Sequence, residues 1–428
     1  MLFADEWWIY ARRLGGMIND LPWQKPNSTE FFASSRLLQD SVNFHDNFVP
    51  YPWATWIDLK TQGKLQTFLP PEARSFSGTR ATVCQHIWAL EHLELFQRAG
   101  ITDLFWSHAT QGLTQIGGIR IHPFPLYPVR CASHPPTQPL LPPAQRPVLY
   151  SFQGAYAPGL YRTPVRDWLL KLPSRPDAQL ERRREWHYEQ AVYREQVQGQ
   201  SVDATRNTQL ALEADAYAAT LQNSCFALCP SGSGPNSIRL WESLGYGAIP
   251  VILSDQLQLP GPADLWQAAA VVVPETQAAV AELPEQLEAL ASDQQRLTAM
   301  QEAGQQLWRR YGLDGFAGDV RDFLRDPLAV LSARAKRSLP GDPVNITAAS
   351  PAELPLQVRL CLRTLPSDRP LLILISDQAD SELLQIRWQL ALKICGKLIG
   401  MRPWSVASVS PALETMGSSP VTPLSSNH

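Results

Sequence analysis

Long apolar runs are missing from this chain, and so is a dominant charge of either sign. No stretch approaches the roughly twenty apolar residues of a membrane-spanning helix. The start, MLFADEWWIYARRLGG, places two acids before any apolar run, unlike a secretory leader. A net charge of −3 over 428 residues provides no basic field to favour nucleic acid as the main partner. The six cysteines are scattered and form no CxxC pair. Cys225 and Cys229 share a strand face without a flanking His, so they read as small buried apolar side chains, not metal ligands. The expectation is a cytoplasmic protein without a bound metal, leaving room for peripheral membrane contact through Trp7 and Trp8. Two phosphate signatures are missing as well. No GxxxxGKS or GxxxxGKT is present, and GSGPNS lacks the third glycine of GxGxxG while Pro235 intrudes. A P-loop ATPase and a dinucleotide-dependent oxidoreductase therefore fit poorly.

What is present supports folded cores. Hydrophobic residues make up 44% of the chain, with 14 Trp, and the length suits two domains and a tail. The stretch Cys225 to Leu253, CFALCPSGSGPNSIRLWESLGYGAIPVIL, reads as one βαβ unit. Cys225 to Cys229 is a short apolar strand, broken at Pro230 by a loop holding Gly232 and Gly234. Asn236 or Ser237 can cap a helix with apolar positions at Ile238, Trp241 and Leu244. Gly245 and Gly247 are expected to end it, and AIPVIL is a second buried strand. Ligands in open α/β sheets sit where such loops enter helices, and a helix N-terminus favours an anion. Arg239 and Glu242 lie three residues apart on one helix face and lean toward that mouth. An arginine there can meet a phosphate, and a carboxylate can accept from a ribose diol.

The wording of this stretch resembles the C-terminal signature of exostosin-like glycosyltransferases of the GT47 type. It runs through Phe226, Leu228, Pro230, Gly232, Gly234, Pro235, Ser237, Arg239, Leu240, Glu242, Leu244, Gly247, Ile249, Pro250 and Val251. The resemblance implies an α/β, GT-B fold: two Rossmann-like domains facing a cleft, here with an additional C-terminal segment. It implies a nucleotide-sugar donor contacted by Ser237, Arg239 and Glu242, with Glu242 on the ribose. GT-B enzymes of this kind usually need no divalent ion, so no metal is expected.

In chain order, residues 1–140 read as the acceptor-side domain. TVCQHIWALEHLELFQRAG (82–100) has a helical period, while ITDLFWSH (101–108) and IGGIRIHPFPLYP (116–128) read as strands. Asp46 and His108 stand near the ends of apolar segments and are the candidates for the base that deprotonates an acceptor hydroxyl. Residues 141–147 lie in a proline-rich connector. Residues 148–335 read as the donor domain. Its opening strand, VLYSFQGAY, and following helix resemble the family's pattern, which implies that Gly154 and Arg162 or Arg166 approach the donor phosphates. The loop after Leu253 would put Asp255 near the sugar. Residues 336–428 fall outside the resemblance. There 354–365 and PLLILISD could be strands, and 381–400 is helix-like. The reading is an inverting glycosyltransferase using a UDP-sugar and a glycan or other hydroxyl acceptor. The alternative is a non-catalytic nucleotide- or sugar-binding protein that keeps the fold.

Overall fold

The structure, a computed structural model, describes residues 21–39, 47–61, 63, 79–186, 189–201, 204–327 and 330, and beyond them three strands and several helical positions between 344 and 409. Trp7, Trp8, His45 and Asp46 lie outside the described residues. Two compact units divide the chain, Met1–Leu324 and Arg325–His428. The sequence placed its corresponding boundary at residue 335.

The first unit contains two lobes, each built on its own sheet. In the first lobe, helices α1 (Thr29–Gln39) and α2 (Trp53–Thr61) precede β1 (Ala81–Cys84), α3 (Leu93–Arg98), β2 (Asp103–Trp106), β3 (Gln115–Ile116) and β4 (Ile119–Pro123). The sheet order is β1-β2-β4-β3, with β1, β2 and β4 parallel and β3 turned back antiparallel on β4. The expectation of one helix across 82–100 fails at its first turn. Ala81–Cys84 is wholly buried, as parallel strands covered on both faces are. The Thr82 hydroxyl is held there, accepting from Trp53 Nε1 and donating to the Val49 carbonyl at 2.6 Å each. Only Leu93–Arg98 remains α-helical. Asp103, at the start of β2, accepts from Arg120 at 2.7 and 2.8 Å and pairs with His122 at 2.8 Å. Burial opposes its charge, but the hydrogen bonds from His122 and Arg120 win and hold its pKa at about 2.

A short helix α4 (Val129–Ser133) leads into the second lobe. That lobe comprises β5 (Val148–Ala155), α5 (Val165–Leu170), β6 (Ala178–Arg183), a π-helical segment at Glu189–Val197, α6 (Ala204–Asn223), β7 (Ser224–Pro230), α7 (Ile238–Tyr246), β8 (Ile249–Leu253), α8 (Ala263–Ala269), β9 (Val271–Val272), α9 (Gln277–Ala291), α10 (Gln294–Tyr311) and α11 (Gly318–Arg325). Its five strands are all parallel in the order β6-β5-β7-β8-β9. The β7–α7–β8 crossover is the expected βαβ unit, paired from Phe226↔Ile249 to Pro230↔Leu253. Gly247 ends α7 with φ of 72°, a left-handed conformation that suits glycine. Gly245, also expected as an end, lies inside the helix; a Cβ there would stand 2.6 Å from Cys131 Sγ, so its role is close packing against α4.

The lobes are joined by main chain. Thr110 bridges Leu257, Gln111 N donates to Gln256 O and Gln258 N to Ala109 O, both at 2.9 Å. Residues after α10 return to the first lobe: Phe316 meets Phe124 at 5.1 Å and Phe323 meets Phe105 at 5.4 Å, edge-on. Two facing Rossmann-like sheets with a returning C-terminal helix make a GT-B-like architecture. The second unit carries a parallel sheet β10-β11-β12, at Val344–Ala348, Leu371–Ser376 and Trp404–Val409. Leu354, Pro355, Val358 and Leu362 are helical rather than extended. Among the described residues, no helix is long and apolar enough to cross a membrane.

Glu30, in the first turn of α1, ties the first lobe together. Its carboxylate accepts from Ala54 N at 3.1 and 3.2 Å and from Gln85 N at 3.1 Å. Burial pushes its pKa up to about 8 against those hydrogen bonds. A raised folded-state value means that stability is fully present below about pH 4.5 and is lost as the pH climbs toward 8, by at most about 1.4 kcal/mol per pH unit. Glu30→Gln should therefore flatten the decline in thermal midpoint between pH 5 and 8, measured by calorimetry.

Candidate active site

A cavity of about 690 Å³ opens between the two lobes, and the glycine loop and N-terminus of α7 form one of its walls. The loop sits there because its neighbours demand it. The Asn236 side chain donates to Ser107 O at 2.6 Å and accepts from Trp241 Nε1 at 3.0 Å, while its main-chain N–H points at His108 Nδ1, 3.4 Å away. One side chain thus ties the end of β2 to the start of α7. Gly234 completes the seam, because a Cβ there would stand 2.5 Å from His108 Nδ1. Ser237 occupies the N-cap position with an extended backbone and no side-chain capping bond. The residue lines the cavity at the N-terminus of α7, whose first-turn N–H groups no helix can satisfy internally.

Two arginines flank one aromatic ring in this wall. The Arg239 guanidinium carbon lies 4.6 Å from the centre of Phe152, and that of Arg166 lies 5.8 Å from the same ring. Arg166 reaches the site from α5, giving Nε to Ser231 O at 2.8 Å and Nη1 to Ala155 O at 3.1 Å. Burial, followed by repulsion from Arg239, lowers its pKa to about 10. Arg239 donates from Nη2 to Gln153 O, but its buried Nε and Nη1 have no hydrogen-bond partner. Such unmet donors are costly inside a protein. Two neighbouring cations, one of them with two buried donors unmet, constitute an anion site.

Glu242 lies one turn along α7 and is 2% exposed. It accepts from Arg130 N and from the Tyr217 hydroxyl, both at 2.9 Å. Burial raises its pKa, while these two hydrogen bonds and the charges of Arg130 and Arg239 work the other way. Both oxygens thus already hold protein donors, anchoring α4 and α6 to α7, and each keeps a lone pair for one more.

Gly154, Gly232, Gly234, Ser237, Arg239, Glu242 and His108 all line this one cavity. Space is tight at Gly154 and Gly232, where a Cβ would lie 3.3 Å from Arg239 Nη2 and 3.0 Å from Arg166 Nη2. Of the two arginines left open by the sequence, Arg166 takes the wall. Arg162 is exposed, its main-chain N–H bound to Gly232 O, because it precedes the helix that carries Arg166 inward. Asp255 is also exposed and stands outside the cavity lining, with its carboxylate accepting from Glu275 N. His108 is a poor base here: burial lowers its pKa to about 3, and it serves the seam.

Sequence reasoning missed a polar cluster on the opposite wall. His86 Nε2 pairs with Asp58 Oδ1 at 3.0 Å, Gln24 Nε2 donates to Asp58 Oδ2, and Trp88 N donates to His86 Nδ1 at 3.1 Å. Nothing local announces this pair, which is 28 residues apart in sequence. His86 also falls in the stretch misread as helix. Among the described residues, no group of three His, Cys, Asp or Glu is placed to hold a metal ion.

The family model of the exostosin GT47 domain matches residues 96–289, from α3 through the whole β7–α7–β8 unit into α9. Those residues are similar to the exostosin GT47 domain. Curated relatives are similar to this chain over short stretches. A probable glucuronosyltransferase of Oryza sativa subsp. japonica is 42% identical over 67 residues, 15% of this chain and 16% of the relative. The probable glucuronoxylan glucuronosyltransferase IRX7 of Arabidopsis thaliana is 40% identical over 60 residues, 14% of this chain and 13% of the relative. The probable glucuronosyltransferase GUT1 of the same rice is 43% identical over 60 residues, 14% of each. The match thus spans only about a seventh of each relative's length.

The seam between the lobes yields a direct prediction. Gly234→Ala should force His108 aside and lower stability by about 1–3 kcal/mol, seen as a lower thermal midpoint. Gly232→Ala, whose nearest contact is Arg166 Nη2 at 3.0 Å with nothing else closer than 3.7 Å, should lower it less.

Proposed function

We propose that this protein is a glycosyltransferase that moves a sugar from a UDP-linked donor to a hydroxyl of a glycan, inverting the anomeric centre. The observation that carries the reading is the Arg166–Arg239 pair, two cations converging on the cavity with Arg239 Nε and Nη1 unmet. A diphosphate at the mouth of α7 would satisfy those donors and relieve the repulsion. Gly154, Gly232 and Gly234 leave room for it beside the backbone. Glu242, fixed by Tyr217 and Arg130, supplies the acceptor oxygen for a ribose diol.

The same groups give the chemistry its driving force. As the bond from sugar to diphosphate breaks, negative charge grows on the leaving group, where the two guanidinium groups and the helix amides already stand. Preorganised charge of this kind stabilises the transition state without reorganisation. We propose that these cations take the part a divalent ion plays elsewhere. An acceptor oxygen arriving from the first lobe attacks the face opposite the diphosphate, and that geometry inverts the configuration. The names of the relatives put UDP-glucuronic acid first among the donors to try, and a glycan first among acceptors.

The test is differential scanning fluorimetry with UDP, GDP and ADP and their sugars, in EDTA. One nucleotide series should raise the thermal midpoint, and Arg239→Met should weaken that nucleotide by about 1.5–3 kcal/mol, or tenfold to a hundredfold. A nucleotide shift that survives Arg239→Met unchanged defeats the reading.

A further inference from the structure

The first lobe contributes its own polar residues to the cavity. Four of its residues are arranged as a unit: Gln24, Asp58, His86 and Trp88. Asp58 projects from the second turn of α2 and is 4% exposed. Each of its carboxylate oxygens has one protein donor, His86 Nε2 on Oδ1 and Gln24 Nε2 on Oδ2. Because Trp88 N–H donates to His86 Nδ1, the ring carries its proton on Nε2, directed at Asp58. Asp58 is thereby presented as an anion with one lone pair left on each oxygen. Trp88 follows two residues after His86, its ring 5.9 Å from the imidazole and roughly perpendicular to it. Its indole is 46% exposed, which is unusual for so large an apolar group beside a buried polar cluster.

The cluster stands next to the donor loop. Ile87, between His86 and Trp88, is one of the groups that a Cβ on Gly234 would strike, at 2.7 Å. A carboxylate, a fixed imidazole and an exposed indole beside the place where a sugar-diphosphate bond would break suit one ligand class, a pyranose with a free hydroxyl. The apolar face of a pyranose lies against an indole, and its hydroxyl donates to a carboxylate.

We infer that the acceptor sugar binds on this first-lobe wall, its ring against Trp88 and its reacting hydroxyl on Asp58, which is the catalytic base. This rests on the glycosyltransferase reading above. The step balances within the ternary complex. The acceptor O–H bond breaks and its proton goes to an Asp58 oxygen. The freed electron pair forms the bond to the anomeric carbon, and the bond from that carbon to the diphosphate breaks with its pair leaving on the diphosphate. Asp58 then returns the proton to water. His86 and Gln24 are positioning residues: they hold the carboxylate and do not touch the sugar.

The experiment measures UDP release from a panel of UDP-sugars, with xylose-, glucose- and galactose-terminated oligosaccharides as acceptors, alongside UDP-induced thermal stabilisation. Asp58→Asn should keep the UDP-induced shift and a donor KM within threefold of the parent, while kcat falls at least a hundredfold. Trp88→Ala should raise the acceptor KM about tenfold and leave the donor KM alone. His86→Gln, which keeps a donor toward Asp58, should retain about ten times the kcat of His86→Ala, a rescue that a purely structural histidine would not show. The UDP-induced shift reports folding in every variant. Transfer by Asp58→Asn within tenfold of the parent overturns the base, and an unchanged acceptor KM in Trp88→Ala overturns the platform. Those failures leave the donor reading intact. A parent protein that no nucleotide stabilises, or that binds UDP but transfers to no hydroxyl, overturns the donor reading and this assignment together.

Discussion

Two positively charged side chains held side by side set the terms for the whole cavity. Arg239 and Arg166 arrive from different helices, and each is fixed by main-chain carbonyls rather than by a carboxylate. The nearby acid, Glu242, spends its hydrogen bonds on Arg130 and Tyr217. The fold therefore supplies charge that its own residues leave incompletely matched, and it tolerates the cost because the surrounding βαβ unit is rigid and buried. Sites that pre-position charge in this way are destabilised when empty and stabilised when full.

The seam between the lobes depends on the same few residues. Asn236 reads the end of β2 and the indole of Trp241 at once, so the mouth of α7 is placed relative to the first sheet and not only to its own. A donor bound at that mouth would stand at a set distance from His86 and Asp58, because both walls meet at Gly234. The geometry between donor and acceptor walls is then a property of tight packing, not of loop conformation.

The donor wall was legible in the sequence because its parts lie within thirty residues and follow local rules: apolar strand, glycine loop, cap, amphipathic helix, strand. Ser237, Arg239 and Glu242 could be named from spacing and resemblance. The choice between Arg162 and Arg166 was not legible, since it depends on where the first turn of α5 begins and on which arginine can fold back over Tyr161. The acceptor wall was hidden for a different reason. Asp58 and His86 come together only because α2 packs against the end of β1, a tertiary contact that leaves no periodic trace. Reading 82–100 as helix compounded this, because Thr82 and Val83 are β-branched and buried while the helical period belongs to the residues after them.

Phe316 and Phe323 close over Phe124, His122 and Phe105 of the first sheet. These aromatic rings come from positions about two hundred residues apart. During synthesis the first sheet leaves the ribosome before the rings that close over these side chains, which follow only when the whole second lobe has emerged. Maturation of the amino-terminal half is therefore tied to completion of the carboxy-terminal one, and a nascent chain stalled before Phe316 presents an apolar surface of the kind that chaperones hold.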